Sequence, residues 1–67
     1  MTEDKLMDAV AEMRETIKIG LLRKRMTQVQ LSEKIGEGEV QVSRAINGDM
    51  SPKSSAIRKK IYKVLDI

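Results

Sequence analysis

A stripe of apolar residues at helical intervals marks the start of the chain, namely Leu6, Val10, Met13, Ile17 and Leu21. Intervals of three and four residues place these side chains on one face of an α-helix covering about the first 25 residues. Thr2 is expected to cap its start, and the basic residues 23–25 suit the negative end of the helix dipole in its last turn. Gly20 costs about 1 kcal/mol of helix propensity relative to Ala. The pattern therefore leaves open a continuous helix, a bend at Gly20, or a separate leader helix.

Three shorter helices are predicted in the rest of the chain, each bounded by residues that favour caps and turns. They are Gln28–Ile35 after a Thr27 cap and before Gly36, residues 39–47 after Gly38, and a last helix from Ser51-Pro52 to about Leu65. The apolar positions predicted to face inward are Leu31 and Ile35, then Val42, Ala45 and Ile46, and finally Ile57, Ile61, Val64 and Leu65. No segment has the pattern of a strand. The fold class is therefore all-α, a compact bundle of four helices, or five if the leader is separate.

The composition excludes most enzyme classes. A chain of 67 residues permits one small domain, and the absence of Cys and His removes disulfides, zinc sites and the commonest general base. We therefore expect no enzyme, no catalytic or metal site, no cofactor and no small-molecule substrate. No apolar run approaches the 18 or so residues that a membrane span requires, so we expect a cytoplasmic protein without membrane contact.

The charges are unevenly distributed along the chain. Residues 1–16 carry five acidic and two basic side chains, a net charge of −3, whereas residues 17–67 carry eleven basic and five acidic ones, a net charge of +6. A basic body with an acidic leader suggests that one face approaches a polyanion, although a lysine-rich solvated surface is common in small proteins. Only one aromatic residue is present, which disfavours single strands bound by stacking. The charges therefore favour duplex nucleic acid.

Two short helices joined through a glycine turn have the dimensions of a helix-turn-helix. Residues 27–36 read TQVQLSEKIG, residues 42–48 read VSRAING, and Pro52 follows shortly after. These residues resemble the lambda-repressor/Cro-type DNA-binding family, whose pattern is T-Q-x-x-L-A-x-x-x-G, then S-R-x-x-N-G and a proline. The spacing matches without insertion. The resemblance covers residues 17–67 as a DNA-binding domain, preceded by residues 1–16 as an acidic helical leader.

The resemblance implies a sequence-specific regulator of transcription that binds double-stranded DNA, a repressor of phage, prophage or mobile-element type. In this family the first helix of the motif crosses the DNA backbone and the second enters the major groove. The implied base-reading residues are Glu39, Val40, Gln41, Ser43 and Arg44. The implied phosphate contacts are Thr27, Gln28, Asn47 and Lys53, helped by backbone amides around Thr27 and Gln28. One such domain contacts few base pairs, so a homodimer is expected, at least on DNA.

The side-chain chemistry of the second helix suits base edges. Arg44 can donate two hydrogen bonds to guanine, Gln41 suits adenine and Val40 suits the thymine methyl group. Glu39 either accepts a hydrogen bond from a cytosine amino group or serves only as a favourable anion at the helix start. An exposed, solvated Arg44 is the structural alternative.

Four residues depart from the family pattern, namely Glu37, Leu21, Ile46 and Ser32. Glu37 stands where the family has an apolar residue tucked under the core, which suggests a looser turn or an offset recognition helix. Leu21 and Ile46 stand where many members pair a buried Arg with Glu, and we predict that they touch. Ser32 replaces a small Ala and still permits close packing. The basic residues 58–60 are interpreted as a solvated face rather than as phosphate contacts.

A second function remains open, because acidic residues beside a DNA-binding surface weaken its attraction for phosphate. Glu37 and Glu39 favour a protein-interaction module, such as an antirepressor or an antitoxin-like partner. Arg44, Asn47 and Lys53 favour DNA. The acidic leader is open to three interpretations, namely a dimerisation helix, an acidic surface for a partner, or an extension of the first helix packed on the body; we favour the last.

Overall fold

Four α-helices joined by short turns form the protein in a computed structural model, which describes residues 2–67, with side chains described from residue 9. They are α1, Thr2–Arg23; α2, Gln28–Ile35; α3, Glu39–Ile46; and α4, Pro52–Leu65. The all-α prediction is confirmed, since residues 2–67 contain no strand. Asn47, predicted as the last residue of the third helix, is its C-cap instead. None of the described helices has an apolar stretch long enough to span a bilayer.

The first helix is continuous through Gly20, which answers the question that the sequence left open. Gly20 is buried where α1 passes the end of α4, and a Cβ there would lie 3.2 Å from Leu65 Cδ1 and 3.3 Å from Leu65 Cβ. The absence of a side chain therefore permits this close approach. Thr2 is itself the first residue of α1, and its predicted capping side chain, like Leu6 of the apolar stripe, lies outside the described side chains.

All four helices contribute to one apolar core. Its buried members are Ile17, Leu31, Val42, Ala45, Ile46, Ile57, Ile61 and Leu65. Most of the positions predicted to face inward belong to this set, and Ile35 and Val64 are half-buried against it. Leu21 packs against the cluster that contains Ile46, and the predicted direct contact between these two side chains stays a prediction.

Each helix ends in the same hydrogen-bonding arrangement, in which a residue in the left-handed region reverses the chain. The reversing residues are Arg25, Gly36, Gly48 and Asp66, all with positive φ. In each case the next N–H donates to a carbonyl five residues earlier, the bond typical of a Schellman motif. These ends satisfy terminal carbonyl groups and keep the connections short, so the helices pack closely despite the small size of the chain.

Candidate nucleic-acid interface

The start of α2 is closed by a capping box. Thr27 Oγ1 accepts a hydrogen bond from the Gln30 N–H at 3.1 Å, and the Thr27 N–H donates to Gln30 Oε1 at 2.9 Å. The predicted cap is thus confirmed. The Thr27 N–H donates within this box, and its expected help in a phosphate contact stays a prediction. The side chain of Gln28 is exposed at this end of α2, as are those of the adjacent residues 27, 29 and 30.

The connection from α2 to α3 is a three-residue turn. Gly36 adopts φ 70°, and the Glu37 N–H donates to Ser32 O at 3.0 Å, which ends α2 as the sequence predicts. Gly38 is extended and precedes α3 without a side-chain cap. The third helix begins at Glu39, as predicted.

Glu37 occupies this turn as half of an ion pair. Its Oε2 lies 3.0 Å from Lys60 Nζ on α4, and the Glu37 side chain is 17% exposed. The hydrogen bond from Lys60 is the main cause that holds the pKa of Glu37 below its ordinary value. Desolvation, the second-largest effect, raises this pKa, and the charges of Lys60 and Lys53 lower it further. This ion pair ties the turn between α2 and α3 to α4.

The third helix has one buried and one exposed face. Val42, Ala45 and Ile46 anchor it in the core. The five predicted base-reading residues lie elsewhere on its surface: Glu39, Val40 and Arg44 are exposed, and Gln41 and Ser43 are half-exposed. Val40 is 65% exposed in the first turn of α3, an ordinary exposure for a single apolar side chain, and it is accessible to a partner.

The junction between α3 and α4 holds the other predicted phosphate contacts. The Asn47 amide donates to Ser43 O at 2.8 Å and to Ser43 Oγ at 3.3 Å, so it helps to close α3, while Lys53 is exposed in the first turn of α4. Asp49 Oδ2 accepts hydrogen bonds from Ser51 Oγ at 2.7 Å and Ser54 Oγ at 2.6 Å.

Those two serine hydrogen bonds are the main causes that lower the pKa of Asp49, and the charge of Arg44 adds a smaller contribution. Ser51 also caps α4 by accepting from the Ser54 N–H, as predicted. The carboxylate therefore stays ionised and fixed beside the start of α4.

Arg58 is the residue that the sequence interpretation misplaced. Its guanidinium is buried, and it donates from Nη1 to Asp49 O at 2.6 Å and to Ala45 O at 3.1 Å, and from Nη2 to Ser55 Oγ at 3.1 Å. The prediction of a solvated face is wrong for this residue. A signal was present, because Ser54, Arg58, Ile61 and Leu65 follow one another at helical intervals and all are buried.

The structure divides the predicted site residues among three places. Thr27 and Gln28 lie at the start of α2, the base-reading set lies on α3, and Asn47 and Lys53 lie at the junction with α4. Both α2 and α4 pack against α3, which joins the three places into one unit. No protein-family model, curated protein or solved structure matches this chain.

The two carboxylates of the turns make the fold sensitive to acid. Because the pKa values of Glu37 and Asp49 are lowered on folding, their stabilisation is complete above their ordinary values of 4.5 and 3.8 and is lost as pH falls through the lowered ones. We expect the melting temperature to decline below about pH 4.5, and Glu37→Gln to flatten that decline. Circular dichroism melts from pH 7 to pH 2.5 test this. If the melting temperatures of the wild type and of Glu37→Gln fell in parallel with pH, Glu37 would make no contribution to the acid sensitivity.

Proposed function

We propose that the protein is a sequence-specific regulator of transcription that binds double-stranded DNA, with α2 and α3 acting as a helix-turn-helix. The observation that carries the proposal is the exposed face of α3. It presents Glu39, Val40 and Arg44 outward, while the opposite face is anchored in the core. An α-helix fits the major groove of B-DNA, and a rigidly held helix with a mixed polar and apolar outer face suits its pattern of donors, acceptors and methyl groups.

Each side chain of that face has a complementary base edge in the proposed complex. Arg44 donates two hydrogen bonds to guanine, and Val40 contacts a thymine methyl group. Glu39 accepts from a cytosine amino group, and Gln41, half-exposed, pairs with adenine. Ser43 contacts either a base or a phosphate.

Phosphate contacts at the two ends of the motif set its register on the duplex. Gln28 and Thr27 lie at the start of α2, where the helix dipole favours an anion. Asn47 and Lys53 contact the other phosphate strand from the junction with α4. Such contacts supply affinity without sequence information, so specificity falls to the side chains on α3.

A homodimer on a two-fold operator completes the proposal. One α3 reads too few base pairs to select a site within a genome. Two copies with their recognition helices about 34 Å apart would read two half-sites on one face of the duplex. Occupation of such a site represses transcription by excluding the polymerase.

Arg44→Ala is expected to reduce affinity for a duplex selected from a random-sequence pool by about 1–3 kcal/mol and to relax the preference at one base pair. The loss arises because a bidentate contact to guanine disappears while the backbone contacts remain. Fluorescence anisotropy with the selected duplex and its single-base variants measures both effects. Lys63→Ala, which removes the same charge from an exposed position near the end of α4, is the control. An unchanged sequence profile for Arg44→Ala would remove this residue from the base-reading set.

Lys53→Ala is expected to act differently, because a phosphate contact carries no sequence information. Affinity should fall by a similar factor for every duplex, and the slope of log affinity against log salt concentration should decrease by about one. Titrations at four salt concentrations, with selected and scrambled duplexes, give this slope. A loss confined to the selected duplex would contradict the assignment of Lys53.

A protein-interaction module is the second candidate. Residues 36–50 carry three acidic side chains and one basic one, a net charge of −2, which weakens attraction to phosphate. The same segment leaves Val40 65% and Met50 64% exposed, as an apolar protein contact would require. An absence of duplex binding at low salt, with the fold intact, would favour this function over the first.

A further inference from the structure

Asp49 is a fixed negative charge within the proposed DNA interface. It lies in the sequence between Asn47 and Lys53, the two proposed phosphate contacts at this end. Two serine hydroxyl groups donate to the same carboxylate oxygen, at 2.7 Å and 2.6 Å, and Arg58 donates to the Asp49 carbonyl oxygen at 2.6 Å. The backbone and the side chain of Asp49 are therefore both held in place. Water already solvates an exposed carboxylate, so these hydrogen bonds serve to hold the Asp49 side chain in one position.

The charge of Asp49 reaches the one basic residue of α3. Arg44 is exposed on this helix, and its charge contributes to the lowered pKa of Asp49 without a direct ion pair, since the only described pair within 4 Å is Glu37 with Lys60. The Asp49 N–H donates to the Arg44 carbonyl oxygen at 3.1 Å, so Asp49 lies beside the end of α3 and its negative charge partly offsets the positive charge of Arg44.

We propose that Asp49 is a specificity-determining residue of this interface, an inference that rests on the proposed function. Binding to random duplex depends almost entirely on attraction between basic side chains and phosphate. A fixed carboxylate next to the phosphate contacts opposes that attraction and disfavours poses in which Arg44 turns to a phosphate. In the selected complex Arg44 contacts guanine rather than a phosphate, so the part of the repulsion that disfavours the Arg44–phosphate pose falls mainly on random duplex. Asp49 thus increases specificity by weakening the complex with random duplex more than the complex with the selected sequence.

Asp49→Asn is the variant that tests this proposal, because it removes the charge and keeps an oxygen that can accept from the serines. Asp66→Asn is the matched control. It makes the same change of charge at the opposite end of α4, about 20 Å from the helix start at 1.5 Å per residue, beyond a Debye length of about 8 Å. Asp66 has φ 58°, and Asn tolerates this left-handed conformation well.

Affinities are measured for two probes, a random-sequence duplex pool and a duplex enriched from it by the wild-type protein. For Asp49→Asn we expect binding to the random pool to strengthen about three- to tenfold at physiological salt, with a salt slope steeper by up to about one. Binding to the enriched duplex should strengthen less, so the affinity for the enriched duplex divided by the affinity for the random pool falls. Asp66→Asn should change either affinity less than about twofold.

Three results would overturn the proposal. The first is an affinity ratio of enriched duplex to random pool that is unchanged or increased in Asp49→Asn. The second is a gain in binding to the random pool by Asp66→Asn equal to that of Asp49→Asn. The third is weaker binding of Asp49→Asn to both probes, which would make Asp49 a structural residue of the loop. Thermal melts confirm folding, and Asp49→Ser serves if the Asn variant unfolds. The proposed function fails separately, because wild-type protein that enriches no duplex contradicts DNA recognition before any variant is compared.

Discussion

Replacing Arg58 with methionine is expected to destabilise the protein by about 3–4 kcal/mol. The guanidinium bonds three oxygens, two of which are the backbone carbonyls of Ala45 and Asp49. Methionine fills much of the same space but cannot donate, so the Asp49 carbonyl loses this part-buried bond and the Ala45 carbonyl keeps only backbone donors. A cation near the last turn of α3 is lost as well, which weakens its interaction with the helix dipole. Domains of this size have only about 3–10 kcal/mol of stability in total.

Urea unfolding followed by circular dichroism measures this loss. Lys59→Met is the matched control, because it makes a similar change at the neighbouring, exposed position of the same helix and should stay within about 0.5 kcal/mol of wild type. Unfolding of Arg58→Met at the wild-type urea concentration would show that the bonds to α3 and its following turn contribute no net stability.

Gly48→Ala is expected to cost about 2–4 kcal/mol, from two sources. Gly48 has φ 94°, a conformation that side chains other than hydrogen disfavour. An added Cβ would also lie 2.8 Å from Val10 Cγ1 and 3.0 Å from Cγ2, closer than real contacts allow. The turn after α3 is therefore pressed against α1, and either the backbone or α1 must shift.

A comparison with Gly36→Ala separates these two sources. Gly36 also has positive φ, at 70°, but an added Cβ there meets nothing within 4 Å, so only the backbone cost of about 1–2 kcal/mol applies. Val10→Ala in the Gly48→Ala background should recover part of the loss, because it removes the clashing methyl groups. Equal losses for the two glycine variants would contradict a tight contact between the turn and α1.

The helices of this fold are predictable because their ends are encoded locally. Thr27 and Ser51 act as caps within three residues of their partners, and Gly36 reverses the chain at the helix that it follows. Apolar spacing then identifies the inner face of each helix. Such signals lie within a few residues of one another, so no knowledge of the packing is required.

The features that the sequence did not reveal depend on contacts between distant residues. Arg58 bonds Ala45 across 13 positions, and Lys60 bonds Glu37 across 23. Because Arg58 stands in a run of three basic residues, its charge suggested solvent although its helical spacing placed it on the inner face. The need for glycine at position 20 also depends on tertiary packing, because Leu65, from the other end of the chain, lies close to it.

Only part of the candidate interface could be predicted from the sequence. The family resemblance assigned Glu39 and Arg44 to a base-reading surface, and both side chains are exposed. The bond of the Thr27 amide to Gln30 follows the capping-box spacing that the sequence displays. The serine bonds that fix Asp49 depend on local geometry that the sequence pattern does not specify. Recognition of bases by these side chains stays a prediction that binding experiments address.

The central claim is that α3 reads the sequence of double-stranded DNA, and selection of bound duplexes from a random-sequence pool at two salt concentrations tests it most directly. We expect enrichment of an inverted repeat whose half-sites lie about one helical turn apart, because two copies bind one face of the duplex, and we expect it to persist at the higher salt concentration. Sequence-independent binding that disappears with salt, or no binding at all, would contradict the claim and favour a protein partner.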